Sequence, residues 1–525
     1  MTENSYDPIR LEIFKHMFAA IPEEMGVVLQ KSSYSPNIKE RRDFSCALFD
    51  NNGNMFTQAA HIPVHLGAMP LSVQQAIQVL TLADGDVMIL NDPYRGGTHL
   101  PDITLVSPIY VEDKLFGYAA NRAHHSDVGG MAPGSMPIAR ELYQEGLILP
   151  PIKLVEGGEL NQGVWEVILA NVRTPTERAG DLRAQLAANH RGVDRMLDLV
   201  ARYSLQEIKA YIQHLLTYTE RMTRNLIAEM PDGIYTFEDH LDDDGVNHSA
   251  IPIQVKVTVR GERATVDFTG SAPQQAGSIN AVYAVTLSAV YYVFRCLLSL
   301  DVPNNSGCLT PIEVIAPAGS VVNATHPAPV AGGNVETSQR IVDVLLGAIA
   351  QAAPDMIPSA SQGTMNNTLI GGWDTERQQS FTYYETIGGG IGASPHASGT
   401  SAIHSHMTNT LNTPVEALEY AYPFLVLKYG IREGSGGDGL QRGGDGIQRD
   451  ILLNSPAQVS LLTERRIFQP YGLAGGDGGA RGENLIIRNG EKIPLPGKGT
   501  FDLQAGDILS ISTPGGGGYG KTKNQ

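Results

Sequence analysis

Residues 91–110, NDPYRGGTHLPDITLVSPIY, and 115–130, LFGYAANRAHHSDVGG, flank the polar turn Glu112-Asp113-Lys114 and carry most of the chemistry of this chain. Ile103-Thr104-Leu105-Val106 and Leu115 to Ala120 are short apolar, β-branched or aromatic runs, a pattern that predicts the two strands of a hairpin. His99 and Asp102 stand just before the first strand, and His124, His125 and Asp127 close the second. In an antiparallel hairpin the start of one strand lies beside the end of the next, so the two groups are expected to meet at one end of the sheet.

Two neutral imidazoles and a carboxylate bind a catalytic divalent ion such as Zn²⁺ or Mn²⁺ and leave positions open for water and substrate. His99, Asp102 and His124 are therefore candidate ligands. The competing reading is a Pro- and Gly-rich turn whose His and Asp side chains bond their own backbone. On an extended backbone His125 points away from His124. Asp127 is expected to accept from an imidazole and hold it in its metal-binding tautomer.

A chain of 525 residues exceeds what one core usually supports, and 42% hydrophobic residues can fill several. The expected class is α+β, multi-domain, with mixed sheets: residues 1–175 a metal-binding α+β domain, 176–232 a helical segment, 233–345 an α+β middle domain, and 346–525 a Gly-rich, mainly β domain. The 57 Gly and 31 Pro imply many turns without a collagen-like period. A net charge of −17 argues against nucleic acid or an anionic membrane as partner. Cys46, Cys296 and Cys308 form no paired motif, which fits a reducing cytoplasm. MTENSYDPIR lacks a basic segment followed by an apolar one, so no signal peptide is expected. Ala281 to Leu300 is long enough to span a bilayer, but its Arg295, Thr286 and Ser288 favour a buried core helix capped by Asn280.

In chain order, Asp7-Pro8 opens a helix to about Gln30, and Phe44 to Phe49 alternates as a strand before the turn Asp50 to Gly53. The charged run Lys39 to Asp43 reads as a solvated face, with Asp43 as an alternative carboxylate ligand and the arginines as an anion clamp. Cys46 lies in an apolar strand, where a thiol is unreactive. His61 and His65 flank Pro63, which disfavours a helix joining them; they line the same cleft or are plain loop residues. Residues 131–145 read as a loop over the metal, with Glu145 as a possible base or ligand. Residues 175–230 have helical spacing, residues 233–267 alternate as strands, and a helix is expected from Thr337 to about Gln351.

Residues 388–412 form a second polar concentration, where flexible backbone lets a ligand approach main-chain amides and His396, His404 and His406 are candidate substrate contacts; the alternative is a connector. From about Ile431 strands are expected between glycine turns. The terminal GGGGYGKT, residues 515–522, matches a phosphate loop formally but has no room for the helix that such a loop needs. No G-x-S-x-G elbow occurs, which disfavours a serine hydrolase.

Taken together, ERRDFSCALFD (40–50), the two hairpin blocks, EGLILPP (145–151), the loop at 388–414 and STPGGGGYG (512–520) resemble the hydantoinase B/oxoprolinase family along nearly the whole chain. The resemblance implies the B-type subunit of an ATP-dependent cyclic amidase that opens hydantoin, 5-oxoproline or lactam rings. A separate hydantoinase A-type subunit would bind ATP and phosphorylate the carbonyl oxygen, giving a cytoplasmic hetero-oligomer. The family's metal pattern falls on His99, Asp102 and His124, with Asp43 as an additional ligand. The mechanism expected from it has metal-derived hydroxide attack the activated carbon, His125 or Asp127 manage the proton, and Arg95 or Arg122 neutralise the departing phosphate. An acetone- or acetophenone-type carboxylase subunit and a non-catalytic scaffold are the alternatives.

Overall fold

Residues 7–521 are described by the structure, a computed structural model; the leader reading of residues 1–6 and Thr522 of the rejected phosphate-loop match lie outside the described residues. Asp7 accepts the Ile9 N–H and Pro8 fills the first turn, so helix α1 (Pro8–Ser32) starts where the sequence predicts. Short α2 (Pro36–Lys39) leads into a seven-stranded antiparallel sheet of β1 (Phe44–Asp50), β2 (Met55–Gln58), β3 (Val87–Leu90), β4 (Asp102–Val111), β5 (Lys114–His124), β6 (Ile152–Glu156) and β7 (Glu159–Leu160). Its spatial order is β2-β1-β5-β4-β3-β6-β7, with α3 (His65–Val79) between β2 and β3 in sequence.

Period-2 alternation divides this sheet between two cores. Cys46, Leu48, Ala119 and Ala123 pack with Phe14 and Phe18 of α1 and with α5 (Pro175–Arg202) and α6 (Leu205–Ala228), which follow α4 (Gln162–Ala170). Ala47, Phe49, Leu105 and Ala120 face the opposite way, into a core that runs on through α3.

The second sheet joins β8 (Gly233–Leu241), β9 (Ile251–Arg260) and β10 (Arg263–Asp267) to β11 (Ile312–Ile315), which pairs parallel to β10 across the crossover helix α7 (Tyr283–Leu297). Helix α7 is buried, and among the described residues no helix is long and apolar enough to cross a membrane. Its N-cap is Val282, not Asn280. The Asn280 amide donates to Gln275 O, Gly277 O and Pro329 O, at 2.9 to 3.0 Å, because three loop carbonyls there need a donor. The helix expected from Thr337 is α8 (Ser338–Ile349), preceded by a π-helical turn, Gly333–Thr337.

Two further sheets share one core containing Ile370, Phe381, Ile451, Val459 and Leu509. One orders β13 (Gln379–Glu385), β12 (Asn367–Asp374), β16 (Ala457–Leu462) and β19 (Lys498–Leu503). After α9 (Val415–Ala421), the other orders β14 (Phe424–Arg432), β15 (Gly446–Leu453), β20 (Ile508–Ser512), β17 (Glu483–Arg488) and β18 (Glu491–Leu495).

The glycine-rich stretches turn at Glu433-Gly434 and Ala474-Gly475, but much of their length is not turn. Segments at 388–393, 436–444, 476–479 and 515–518 run side by side and bond main chain to main chain: Gly444 N–H donates to Ile391 O, Gly516 N–H to Gly444 O and Gly437 N–H to Gly516 O, each at 2.9 Å. A methyl group on Gly390, Gly443 or Gly516 would overlap a neighbouring carbonyl. Absence of a Cβ here lets these main chains approach one another closely.

The charged run at 39–43 also differs from its reading. Lys39 and Arg42 are exposed, but Arg41 and Asp43 are buried. Arg41 donates to Tyr384 O at 3.1 Å and Thr386 Oγ1 at 2.7 Å and lies 4.9 Å from the Tyr384 ring centroid. The run joins α2 to the entry of β1, and of its five members Arg41 and Asp43 are the two that are buried.

Candidate metal centre

β4 starts at Asp102 and β5 ends at His124, and the two residues are partners in the ladder register. His99 stands one turn earlier, where its carbonyl accepts the Asp102 N–H at 3.1 Å. Hairpin pairing and one tight turn thus bring the three side chains together: one ligand atom from each of His99, Asp102 and His124 lies within 4.8 Å of the others, and all three residues are buried. The two imidazole centroids are 4.9 Å apart.

The donor set fits a divalent cation. Both ring nitrogens of His99 and Nε2 of His124 are buried without a hydrogen bond, His99 Nε2 standing 3.4 Å from Asp102 Oδ2, an arrangement that costs stability unless something else satisfies them. Burial pushes the His124 imidazolium well below its ordinary pKa, leaving the neutral ring that can donate a lone pair. Burial also acts to raise the Asp102 carboxyl, but His99 and His65 more than offset it and hold Asp102 well below the usual carboxylate range.

A shell that no local pattern marks holds these groups. His65, at the start of α3, places Nε2 3.4 Å from Asp102 Oδ2 and Nδ1 2.9 Å from Ser45 Oγ, while Thr98 Oγ1 donates to Asp102 Oδ2 at 2.5 Å. The Tyr384 ring stacks on His124 at 4.4 Å, and Asn37 Nδ2 donates to His124 O at 2.6 Å. Asp43 stands on the wall of the same small chamber, outside the triad; burial pushes its carboxyl up to about 6, with Arg41 4.0 Å away acting against the rise.

The other expected residues are placed differently. Arg122 is buried two positions before His124, donating to Thr104 Oγ1 at 2.8 Å and Ser72 Oγ at 2.6 Å; its Nη1 has no partner. Its charge favours the ionised Asp102, and burial lowers its own pKa to about 10. His125 points to the opposite face, 2.9 Å from Gln185 Oε1, and burial, aided by Arg178, brings its pKa to about 4. Asp127 accepts from the Gly129 and Gly134 N–H groups and pairs with Arg173 at 2.8 Å, so it staples a loop rather than orienting an imidazole. Arg95 is half exposed and paired with Asp92 at 3.5 Å. His61 accepts the Cys46 N–H through Nδ1 at 3.2 Å.

Of the three loop histidines, His396 is exposed and its N–H donates to Ser394 Oγ in its own turn. His404 is half-buried in the field of Arg41 and Glu385. His406 lies 3.4 Å from the Tyr292 hydroxyl and 3.7 Å from Asp343. The adjoining Met407 and Thr408, which carry no obvious chemistry, are the loop residues that line the chamber.

Residues 131–145 do not line that chamber. They end at Glu145, whose Oε1 accepts the Val330 and Ala331 N–H groups at 2.8 and 2.9 Å. Burial pushes this carboxyl up to about 8. Between about pH 4.5 and 8 the folded protein therefore keeps a proton that the unfolded chain has lost, and stability falls as pH rises through that window. Glu145→Gln keeps an acceptor and removes the titration. The urea midpoint of the wild type, measured against the variant, is expected to fall steadily from about pH 5 to about pH 8 and then level off. Parallel profiles would show a carboxyl already ionised in the folded state.

With this geometry in hand, the family model described as hydantoinase B/oxoprolinase matches residues 7–522. The chain is 41% identical to 5-oxoprolinase 1 of Arabidopsis thaliana over 99% of its own length but spans only 42% of that protein. It is 32% identical to the B-type subunit of a putative D-/L-hydantoinase from a Pseudomonas species, covering 98% of this chain and 90% of the relative. The crystal structure of an ATP-dependent caprolactamase from Pseudomonas jessenii superimposes with a TM-score of 0.92 at 27% identity, over 99% of this chain and 92% of the other. By both sequence and fold, the chain belongs to the hydantoinase B/oxoprolinase family.

Proposed function

We propose that this chain is the B-type subunit of a cyclic amidase, opening a hydantoin, 5-oxoproline or lactam ring after a separate A-type subunit has phosphorylated the ring carbonyl oxygen with ATP. The observation that carries the reading is the convergence of one ligand atom each from His99, Asp102 and His124, all buried, with Asp102 and His124 on the wall of a small chamber. A divalent cation held by these three, with Asp43 as the further ligand to test, would supply Lewis acidity and bring the pKa of water toward about 7.

The chain's own residues do the rest. His65 and Thr98 fix Asp102, Asn37 and Tyr384 fix His124, and the Arg122 charge favours the ionised Asp102. The need for ATP chemistry elsewhere agrees with the state of the terminal glycines. The amides of Gly516, Gly517 and Gly518 donate to Gly444 O, Ala360 O and Asp477 O at 2.8 to 2.9 Å, so these three glycines of the phosphate-loop-like run have no free amide for a phosphate.

Co-purification with the A-type partner tests the reading. ATP consumption coupled to opening of a hydantoin, 5-oxoproline or lactam, independent of bicarbonate, is expected. Strict bicarbonate dependence would assign the chain to a carboxylase, and full turnover with no bound metal would leave it as a scaffold.

A further inference from the structure

The chamber between Asp43, Asp102 and His124 encloses about 20 Å³. That is room for a single water and far too little for an organic ring. A second cavity of about 310 Å³, at the lower end of the range of small-molecule sites, opens beside it. Ile62 is on the wall of both. Around it the segment 59–66 forms a partition one residue thick: Ala60, His61 and Pro63 face the larger cleft, Val64 and His65 the chamber. The loop 407–409 completes it in the same way, Met407 and Thr408 toward the chamber and Asn409 toward the cleft.

Three long hydrogen bonds tie the two strips. Val64 N–H donates to Met407 O at 3.3 Å, and Asn409 Nδ2 donates to Ala60 O at 3.4 Å and His61 O at 3.3 Å. At such lengths each contributes little, so the partition can part at small cost. The cleft itself is largely hydrocarbon, with Leu66, Tyr292 and Leu298 on its wall. Its cation, Arg295, is already committed to Asn304 Oδ1 at 2.5 Å, Val302 O at 2.6 Å and two further carbonyls.

We propose that the larger cleft receives the hydrocarbon edge of a cyclic amide ring, and that Ile62 is the specificity-determining gate through which the ring carbonyl reaches the chamber. This rests on the ring-opening reading above. Ring atoms held against Leu66 and Leu298 gain from apolar burial, and the bulk at position 62 then decides which ring substituents pass.

The test uses the chain assembled with its ATP-binding partner and a panel of lactams and hydantoins graded by ring size and alkyl substitution. Ile62→Trp is expected to raise KM tenfold or more for the bulkiest substrate the wild type accepts, with metal content and the KM for ATP unchanged. Ile62→Ala shifts preference toward larger substituents. A second readout needs no substitution: Cys296 is exposed on the cleft wall while Cys46 and Cys308 are buried, so N-ethylmaleimide labelling of Cys296, followed by mass spectrometry, reports occupancy. A saturating substrate should slow that labelling several-fold. An active wild type whose substrate gives no protection, with Ile62 variants that keep the wild-type ratio of KM values across the panel, overturns the gate and leaves ring opening standing. A wild-type assembly that opens no ring overturns both.

Discussion

Replacing His124 with alanine is expected to lower turnover of the assembled enzyme by at least about 10³-fold, equivalent to about 4 kcal/mol of lost transition-state stabilisation, while the fold survives. The residue supplies one of three converging ligand atoms at the end of β5, and no neighbouring side chain can replace it: His125 is turned toward Gln185, and His65 already sits between Ser45 and Asp102. The strand is held by full ladder pairing on both sides, with β1 and β4, so loss of one imidazole does not undo it. The competing reading, in which the turn merely bonds its own backbone, predicts the reverse: a stability loss with activity kept. Metal analysis, steady-state turnover and a urea denaturation curve on one preparation separate the two. Asn37→Ala, which removes the amide lying 2.6 Å from His124 O and 3.2 Å from its Nδ1 while leaving all three ligand residues in place, is expected to weaken metal affinity by about 10- to 100-fold.

Gly516→Ala is expected to destabilise the C-terminal half by on the order of 3 kcal/mol or more, enough to leave much of the protein insoluble. A methyl group at 516 would meet the carbonyl of Ile391, and the backbone cannot yield because Gly516 also donates to Gly444 O and accepts from Gly437. Gly430→Ala is the control. Its Cβ would meet nothing within 4 Å on exposed strand β14, so the change is neutral or slightly stabilising. Equal urea midpoints for the two variants would show that the glycine segments separate readily and that their contacts do not hold the sheets together.

Much of the site's scaffold is legible locally. Apolar runs on either side of Glu112-Asp113-Lys114 predict the hairpin, and an antiparallel hairpin by itself puts position 102 beside position 124. Alternation likewise separates His124 from His125. Residues that hold the ligands are not legible. His65 reads either as a residue of the same cleft or as a plain loop histidine, and nothing local marks Asn37 or Tyr384. They reach the site only because α3, α2 and β13 close over one end of the first sheet. Asp127 reads as an imidazole's partner because the group it binds, Arg173, lies 46 residues away. His396 reads as a candidate substrate contact because it follows a glycine-rich run, whose Gly389, Gly390 and Ala393 amides the structure pairs with other main chain.

The sequence by itself determined the class of fold, the family and the meeting of an acid and two imidazoles. The fold class and the meeting of the ligands follow from period-2 alternation, turn residues and strand adjacency, which act over neighbouring residues, and the family follows from the likeness of several long sequence blocks. Only the tertiary structure decided that Ile62 lines both a water-sized chamber and an apolar cleft, and that four glycine segments lock against one another. Such features come from surfaces brought together across hundreds of residues, where packing geometry, not local pattern, sets which atoms touch.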